Sequence, residues 1–142
     1  MSKADENRVA KLLAGELGIS FQDGGLNLDK WGQVDKWAKL SSNASVFIEV
    51  ESGQKHPSTS VLKVWPYIEK KKKLRVFLIQ CFLPKSPDVN SSRRRLAKWT
   101  AEKLEKEFRN RFLYATLTVS SVIKQKKQLL EQFKKFKSLL RR

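Results

Sequence analysis

In its 142 residues the sequence has one cysteine, one histidine, one methionine and four prolines. A single thiol, Cys81, excludes an internal disulfide, which fits a reducing compartment. Cys81 lies in the apolar run Val76 to Leu83 and reads as a small core residue. No second histidine or cysteine is available for a zinc site. No apolar run approaches the ~18 residues of a membrane-spanning helix. The opening MSKADENRVAKLL has no apolar stretch of the secretory kind and carries acids early, so an intracellular, non-secreted protein is expected. There is no internal repeat. Acids are also scarce: fourteen Asp and Glu stand against thirty Lys and Arg, a net charge of +16.

Hydrophobic residues make up 40% of the chain, an ordinary globular fraction that argues against disorder. The length suits one domain, here residues 1–142, and permits burial of about two-thirds of the unfolded surface. Excess charge of one sign destabilises a compact chain by self-repulsion, so it points to a polyanionic partner. Nucleic acid comes first, because Lys and Arg release counterions from phosphates. An anionic membrane surface comes second.

Apolar spacing predicts a helix over Asp5 to Leu17, with Val9, Leu12, Leu13 and Leu17 on one face and Gly18 as its C-cap. Ile19 to Trp31 has loop chemistry. Val34 to Leu40 and Ser45 to Glu51 read as strands joined by the turn at residues 41–44, hence an antiparallel hairpin. His56-Pro57-Ser58 opens a helix that Pro66 should kink or restart. Leu74 to Leu83 (LRVFLIQCFL) reads as a central strand buried on both faces. A helix from Ser91 or Ser92 to about Arg111 follows, with Leu96, Leu104 and Phe108 as its inner stripe. Phe112 to Ser120 is a further strand. A basic amphipathic helix spans about 123–142, with Leu129, Leu130, Phe133, Phe136 and Leu140 on one side. The order α-β-β-α-β-α-β-α implies an α/β fold, a mixed sheet with helices on its faces.

The candidate chemistry lies in Asp35 and in Glu49-Val50-Glu51. Side chains alternate along a strand, so Glu49 and Glu51 share one face while Ile48 and Val50 point to the core. Asp35, on the partner strand, can reach the same place. Three carboxylates gather comfortably only around a cation. Mg²⁺, hard and oxygen-seeking, is the natural one. An E-x-E strand is also common as a plain solvent-exposed face.

This order of elements, with Asp35 on one hairpin strand and Glu49-Val50-Glu51 on the next, resembles the PD-(D/E)xK nuclease superfamily, the restriction-endonuclease-like fold. That superfamily includes restriction endonucleases and archaeal Holliday-junction resolvases. The similarity runs from Asp5 to about Ser120. Val34 stands in place of the usual Pro, and Glu51 in place of the usual Lys, as in some E-x-E restriction enzymes. The resemblance implies a nuclease dependent on Mg²⁺ or Mn²⁺. Asp35, Glu49 and the Val50 carbonyl would bind the metal, and Glu51 would position or deprotonate water or bind a second metal. Lys55 or Lys63 would replace the missing lysine. A further acid on the first helix is implied, with Glu6 chosen and Glu16 as the alternative. Gln54, Lys55 and His56 would touch the scissile phosphate.

Arg93-Arg94-Arg95, Lys70 to Lys73 and the last helix are the main basic runs, each commonly a solvated face, together a surface for tracking phosphates. Trp31 and Trp37 flank Asp35, so one of them is a candidate to line the cleft. The expected activity is endonucleolytic cleavage of DNA, favoured over RNA, by a homodimer whose two sites serve two strands, with targeting by a partner protein open. The rivals are a non-catalytic nucleic-acid-binding module on the same fold, a branched-DNA resolvase, and a last helix that docks on a membrane or partner.

Overall fold

The computed structural model describes residues 3–53, 56–84 and 91–141. Helix α1 (Lys3–Leu17) buries Val9, Leu13 and Leu17, and Gly18 ends it at φ +68°, where a side chain would be strained. In the following loop, two-residue strands β1 (Leu26–Asn27) and β2 (Gln33–Val34) pair antiparallel across a 3₁₀ turn at Asp29–Trp31. A Cβ at Gly25 would collide with the Val34 carbonyl oxygen, so the loop needs glycine there.

Strands β3 (Lys36–Ser41) and β4 (Ala44–Glu51) form the expected antiparallel hairpin. The strand predicted from Val34 to Leu40 is interrupted at Asp35, which separates β2 from β3. Helix α2 (Pro57–Leu62) carries Pro57 in its first turn, and α3 (Val64–Lys70) restarts after Lys63. Pro66 explains the restart: it lacks the N–H that would bond back to Leu62, and its ring would clash with that carbonyl. In the first turn of a new helix the missing N–H costs nothing.

Strand β5 (Arg75–Phe82) pairs in parallel with β4 and with β6 (Phe112–Val119). Between them runs α4 (Ser92–Glu107), capped by Ser91, whose hydroxyl accepts from the Arg94 N–H at 3.3 Å. The predicted last helix begins later than expected. Ile123 and Lys124 form a short strand, β7, antiparallel to β6. Gln125 turns the chain in the left-handed conformation, and α5 (Lys126–Leu139) follows. The sheet order is β3-β4-β5-β6-β7, parallel in its two long inner pairings and antiparallel at both edges.

Helices cover both faces, giving two cores. On one face α1 and α5 cover Val46, Ile48 and Val50 of β4, and Phe77 stands against Phe133 and Phe136 with ring centroids 6.1 and 5.8 Å apart. On the other, α2, α3 and α4 cover Phe47, Leu78, Phe112 and Tyr114. Three apolar positions differ from expectation. Leu96 is 53% exposed and Leu130 40% exposed, while Leu139 joins Phe136 in the core. The inner face of α4 is instead Arg94, Ala97, Thr100, Ala101 and Leu104; the two alanines let the helix lie close to the sheet. Among the described residues, no helix is long and apolar enough to cross a membrane.

Candidate active site at the end of the hairpin

The β3–β4 register begins at Lys36 opposite Ile48. Asp35 therefore stands one step beyond the ladder, opposite Glu49, and side chains replace the missing backbone bonds. The Asp35 N–H donates to Glu49 Oε2 at 3.0 Å, and the Val50 N–H donates to Asp35 Oδ2 at 2.7 Å. Such a bond is worth about 1.5–3 kcal/mol where the accepting carboxyl is ionised and about 0.5–1.5 kcal/mol where it is neutral. The same contacts that end the ladder hold two carboxylates side by side.

Glu49 is 2% exposed. Lys63, which joins α2 to α3, brings its ammonium onto Glu49 Oε1 and also donates to the Gln33 carbonyl. Apart from that ion pair, Oε1 is buried with no hydrogen-bond partner. Burial, then the Asp35 charge, push the Glu49 carboxyl well above the ordinary range, and Lys63 opposes them. Glu6, on α1, is also raised, by partial burial and then by the Asp35 charge. Glu6, Asp35, Lys36 and Gln33 line a cleft of about 530 Å³. Glu16 instead pairs with Lys126 at 3.0 Å. Of the two acids considered on the first helix, Glu6 is the one that feels Asp35.

Glu51 shares the Glu49 face of the sheet but has a different set of partners. The Ser60 hydroxyl lies 3.2 Å from both of its oxygens, and Gln80 Nε2 donates to Oε2 at 3.0 Å. Gln80 is held in turn: Nε2 also donates to the Pro57 carbonyl at 2.9 Å, and the Tyr114 hydroxyl donates to Oε1 at 2.5 Å. Burial keeps the Tyr114 phenol protonated, so it acts as the donor and fixes which end of the Gln80 amide faces Glu51. Burial raises the Glu51 carboxyl, while the Gln80 and Ser60 bonds pull it down.

The three acids named from sequence are held by different partners. Among the described residues, no group of three or more His, Cys, Asp or Glu side chains is arranged to hold a metal ion. Asp35 and Glu49 come together, and Glu51 is drawn off by Gln80 and Ser60. Two carboxylates still fit Mg²⁺, which takes one or two and keeps water for the rest of its shell. Glu49 Oε1, whose partner is the Lys63 ammonium, becomes an available ligand atom if Lys63 moves aside.

Among the cations named from sequence, Lys63 reaches the acids. His56 is exposed just before α2 and makes no side-chain cap. Gln54 and Lys55 lie outside the described residues. Arg93 and Arg95 are exposed on α4. Arg94, expected to contact nucleic acid, is 7% exposed. Its guanidinium lies 4.0 Å from the Phe82 ring centroid, and Nη1 donates to Thr118 Oγ1 at 3.1 Å. It shares the helix phase of Ala97 and Leu104, which turns it inward. Trp37 is half-buried against the second core, whereas Trp31 is 44% exposed. Sequence reasoning missed Gln80, Tyr114 and Ser60. The available signal was Gln80 itself, a lone amide in an apolar strand, because a buried amide must find partners.

The chain matches no family model, no curated protein and no solved structure. Functional assignment therefore rests on the side chains.

Proposed function

We propose that the chain is a metal-dependent endonuclease that hydrolyses phosphodiester bonds in DNA. The carrying observation is the Asp35–Glu49 pair, two acids cross-bonded through the backbone at the end of the hairpin, with the Lys63 ammonium on the remaining Glu49 oxygen. The order of elements around it supports the likeness to PD-(D/E)xK nucleases, and the net charge of +16 supports a polyanionic substrate.

Asp35 and Glu49, with the Val50 carbonyl, would hold Mg²⁺ or Mn²⁺; Glu6 stands close enough to shape the field at Asp35. A divalent ion there supplies Lewis-acid polarisation of the phosphate and acidifies a bound water. Lys63 is the cation poised to take the role of the family lysine: displaced from Glu49, its ammonium would orient the attacking water and offset charge on the phosphate. Glu51, fastened by Gln80 and Ser60, would fix the end of β4 rather than bind the ion. Cutting two strands would take two such sites, hence a homodimer.

One observation favours a second reading. Lys63 already neutralises Glu49, as a structural ion pair would in a non-catalytic nucleic-acid-binding module. Incubation of supercoiled plasmid with Mg²⁺ or Mn²⁺, against a chelator control, separates the two. Metal-dependent nicking or linearisation that disappears in Asp35→Ala and Glu49→Ala is expected. Salt-sensitive binding without cleavage, on plasmid and on branched DNA alike, would reject the enzyme.

A further inference from the structure

A second cluster of charge lies at the other end of the sheet. Asp35 and Glu49 sit toward the C-terminal end of β4, whereas the N-terminal ends of β4, β5 and β6 open onto a separate cavity of about 380 Å³. Lys72, Lys73, Arg75 and Arg111 line it, together with the hairpin-turn residues Ser41 and Ser42. No acid lines it, and none of the four cations forms an ion pair with an acid among the described residues. From Ala44, on its wall, to Glu49 is five residues of strand, about 17 Å at ~3.3 Å per residue. One anion cannot fill both places.

The two arginines are fixed in place. Arg111 donates from Nε to the Leu74 carbonyl at 3.1 Å and from Nη2 to the Ile68 and Lys71 carbonyls, each at 2.7 Å. Arg75 donates from Nη1 to the Leu139 carbonyl. The bonds to Ile68, Lys71 and Leu139 satisfy carbonyls at the ends of α3 and α5, and the bond to Leu74 holds the approach to β5, which accounts for two guanidiniums at this end of the fold. They leave Arg111 Nη1 and Arg75 Nε and Nη2 without a protein acceptor among the described residues. Helix capping does not account for Lys72, Lys73 and two serines converging on the same hollow. Guanidinium N–H groups held in one orientation, with ammonium and hydroxyl donors around them, are what a phosphate group recognises.

We propose that this cavity is a phosphate-binding site, distinct from the acidic site, whose ligand is a backbone phosphodiester of nucleic acid. It does not require the chain to be a nuclease. The test uses the whole chain in EDTA, so that nothing is cleaved. Inorganic pyrophosphate binding is followed by calorimetry, and duplex-oligonucleotide binding by fluorescence anisotropy across a salt series. The test variant is Lys72→Ala/Lys73→Ala, which leaves the arginines and their helix caps intact. The control, Lys98→Ala/Lys106→Ala, removes the same charge from the exposed side of α4, outside the basic runs.

Loss of duplex affinity in the test variant, with the slope of log K against log salt lowered by about 1.8 for two phosphate contacts and a smaller change in the control, is expected. Pyrophosphate bound by wild type and control but not by the test variant, with duplex binding unchanged, would keep the site and make a free phosphate compound its ligand. Equal losses in test and control variants would overturn it, because net charge alone would then explain binding. Failure of wild type to bind either probe would overturn it as well.

Discussion

Replacing Glu49 by Gln keeps the shape of a side chain that is 2% exposed and removes its charge. Burial and Asp35 raise this carboxyl above its ordinary 4.5. A carboxyl that is less acidic folded than unfolded favours folding at low pH, and that contribution is lost as pH rises from the unfolded value through the folded one. Each tenfold difference in acidity amounts to about 1.4 kcal/mol. In Glu49→Gln the amide oxygen can still accept from the Asp35 N–H, and Lys63 still has the Gln33 carbonyl. The variant should therefore be at least as stable as wild type at neutral pH, and its stability should fall less as pH rises above the ordinary carboxyl range. Urea unfolding in a chelator measures both. Adding Mg²⁺ should then stabilise wild type, by about 2.7 kcal/mol at a hundred times its dissociation constant, and leave the variant unmoved. A loss of about 3–5 kcal/mol in the variant would refute the reasoning, because that is the cost of removing one partner from a buried ion pair. Glu49 would then be an ionised structural partner of Lys63, with no need of a metal.

Two other outcomes follow from the same contacts. Tyr114→Phe leaves Gln80 Oε1 without its donor in a buried site, so it should cost about 1–3 kcal/mol and lower Tm by about 3–4 °C per kcal/mol; an unchanged Tm in thermal unfolding would remove Tyr114 from the network. Glu6→Gln should reduce metal-dependent cleavage about tenfold, as loss of a group supporting a metal site does. Glu16→Gln, which breaks a partly exposed pair with Lys126, should leave cleavage intact and cost less than about 1 kcal/mol. Equal effects on cleavage would mean that neither acid acts at the site.

The elements read well from sequence wherever the signal is local. The apolar run of β5, the turn between β3 and β4, the Ser91 cap and the Pro66 restart each depend on residues within a few positions of one another. What was not legible depends on distant partners. The break at Asp35 exists because Glu49, fourteen residues on, accepts the backbone N–H that the ladder would have used. Tyr114 and Gln80 are thirty-four residues apart. Within the triplet Arg93-Arg94-Arg95, only the phase set by Ala97, Ala101 and Leu104 shows that Arg94 turns inward, and the choice of Leu96 put that phase on the wrong side.

The fate of Glu51 turns on strand alternation, which settles the face of a residue and not its partners. Glu49 and Glu51 do share a face, as the period of two demands. But the hairpin ladder starts at Lys36 opposite Ile48, so Glu49 meets Asp35 one step beyond it, and no residue of β3 stands opposite Glu51. On the other side β5 continues, placing Gln80 beside Glu49 and Phe82 beside Glu51. Gln80 reaches across to Glu51, and α2 adds Ser60. Two residues of strand thus separate an acid whose buried outer oxygen is held by one ammonium from an acid whose oxygens have neutral donors. On the proposed reading a divalent ion would gain most from the first, where it would replace Lys63 as the counter-charge. At Glu51 it would have to displace hydrogen bonds already made. The two-acid site is therefore the reading that wastes fewest of the bonds the fold has formed.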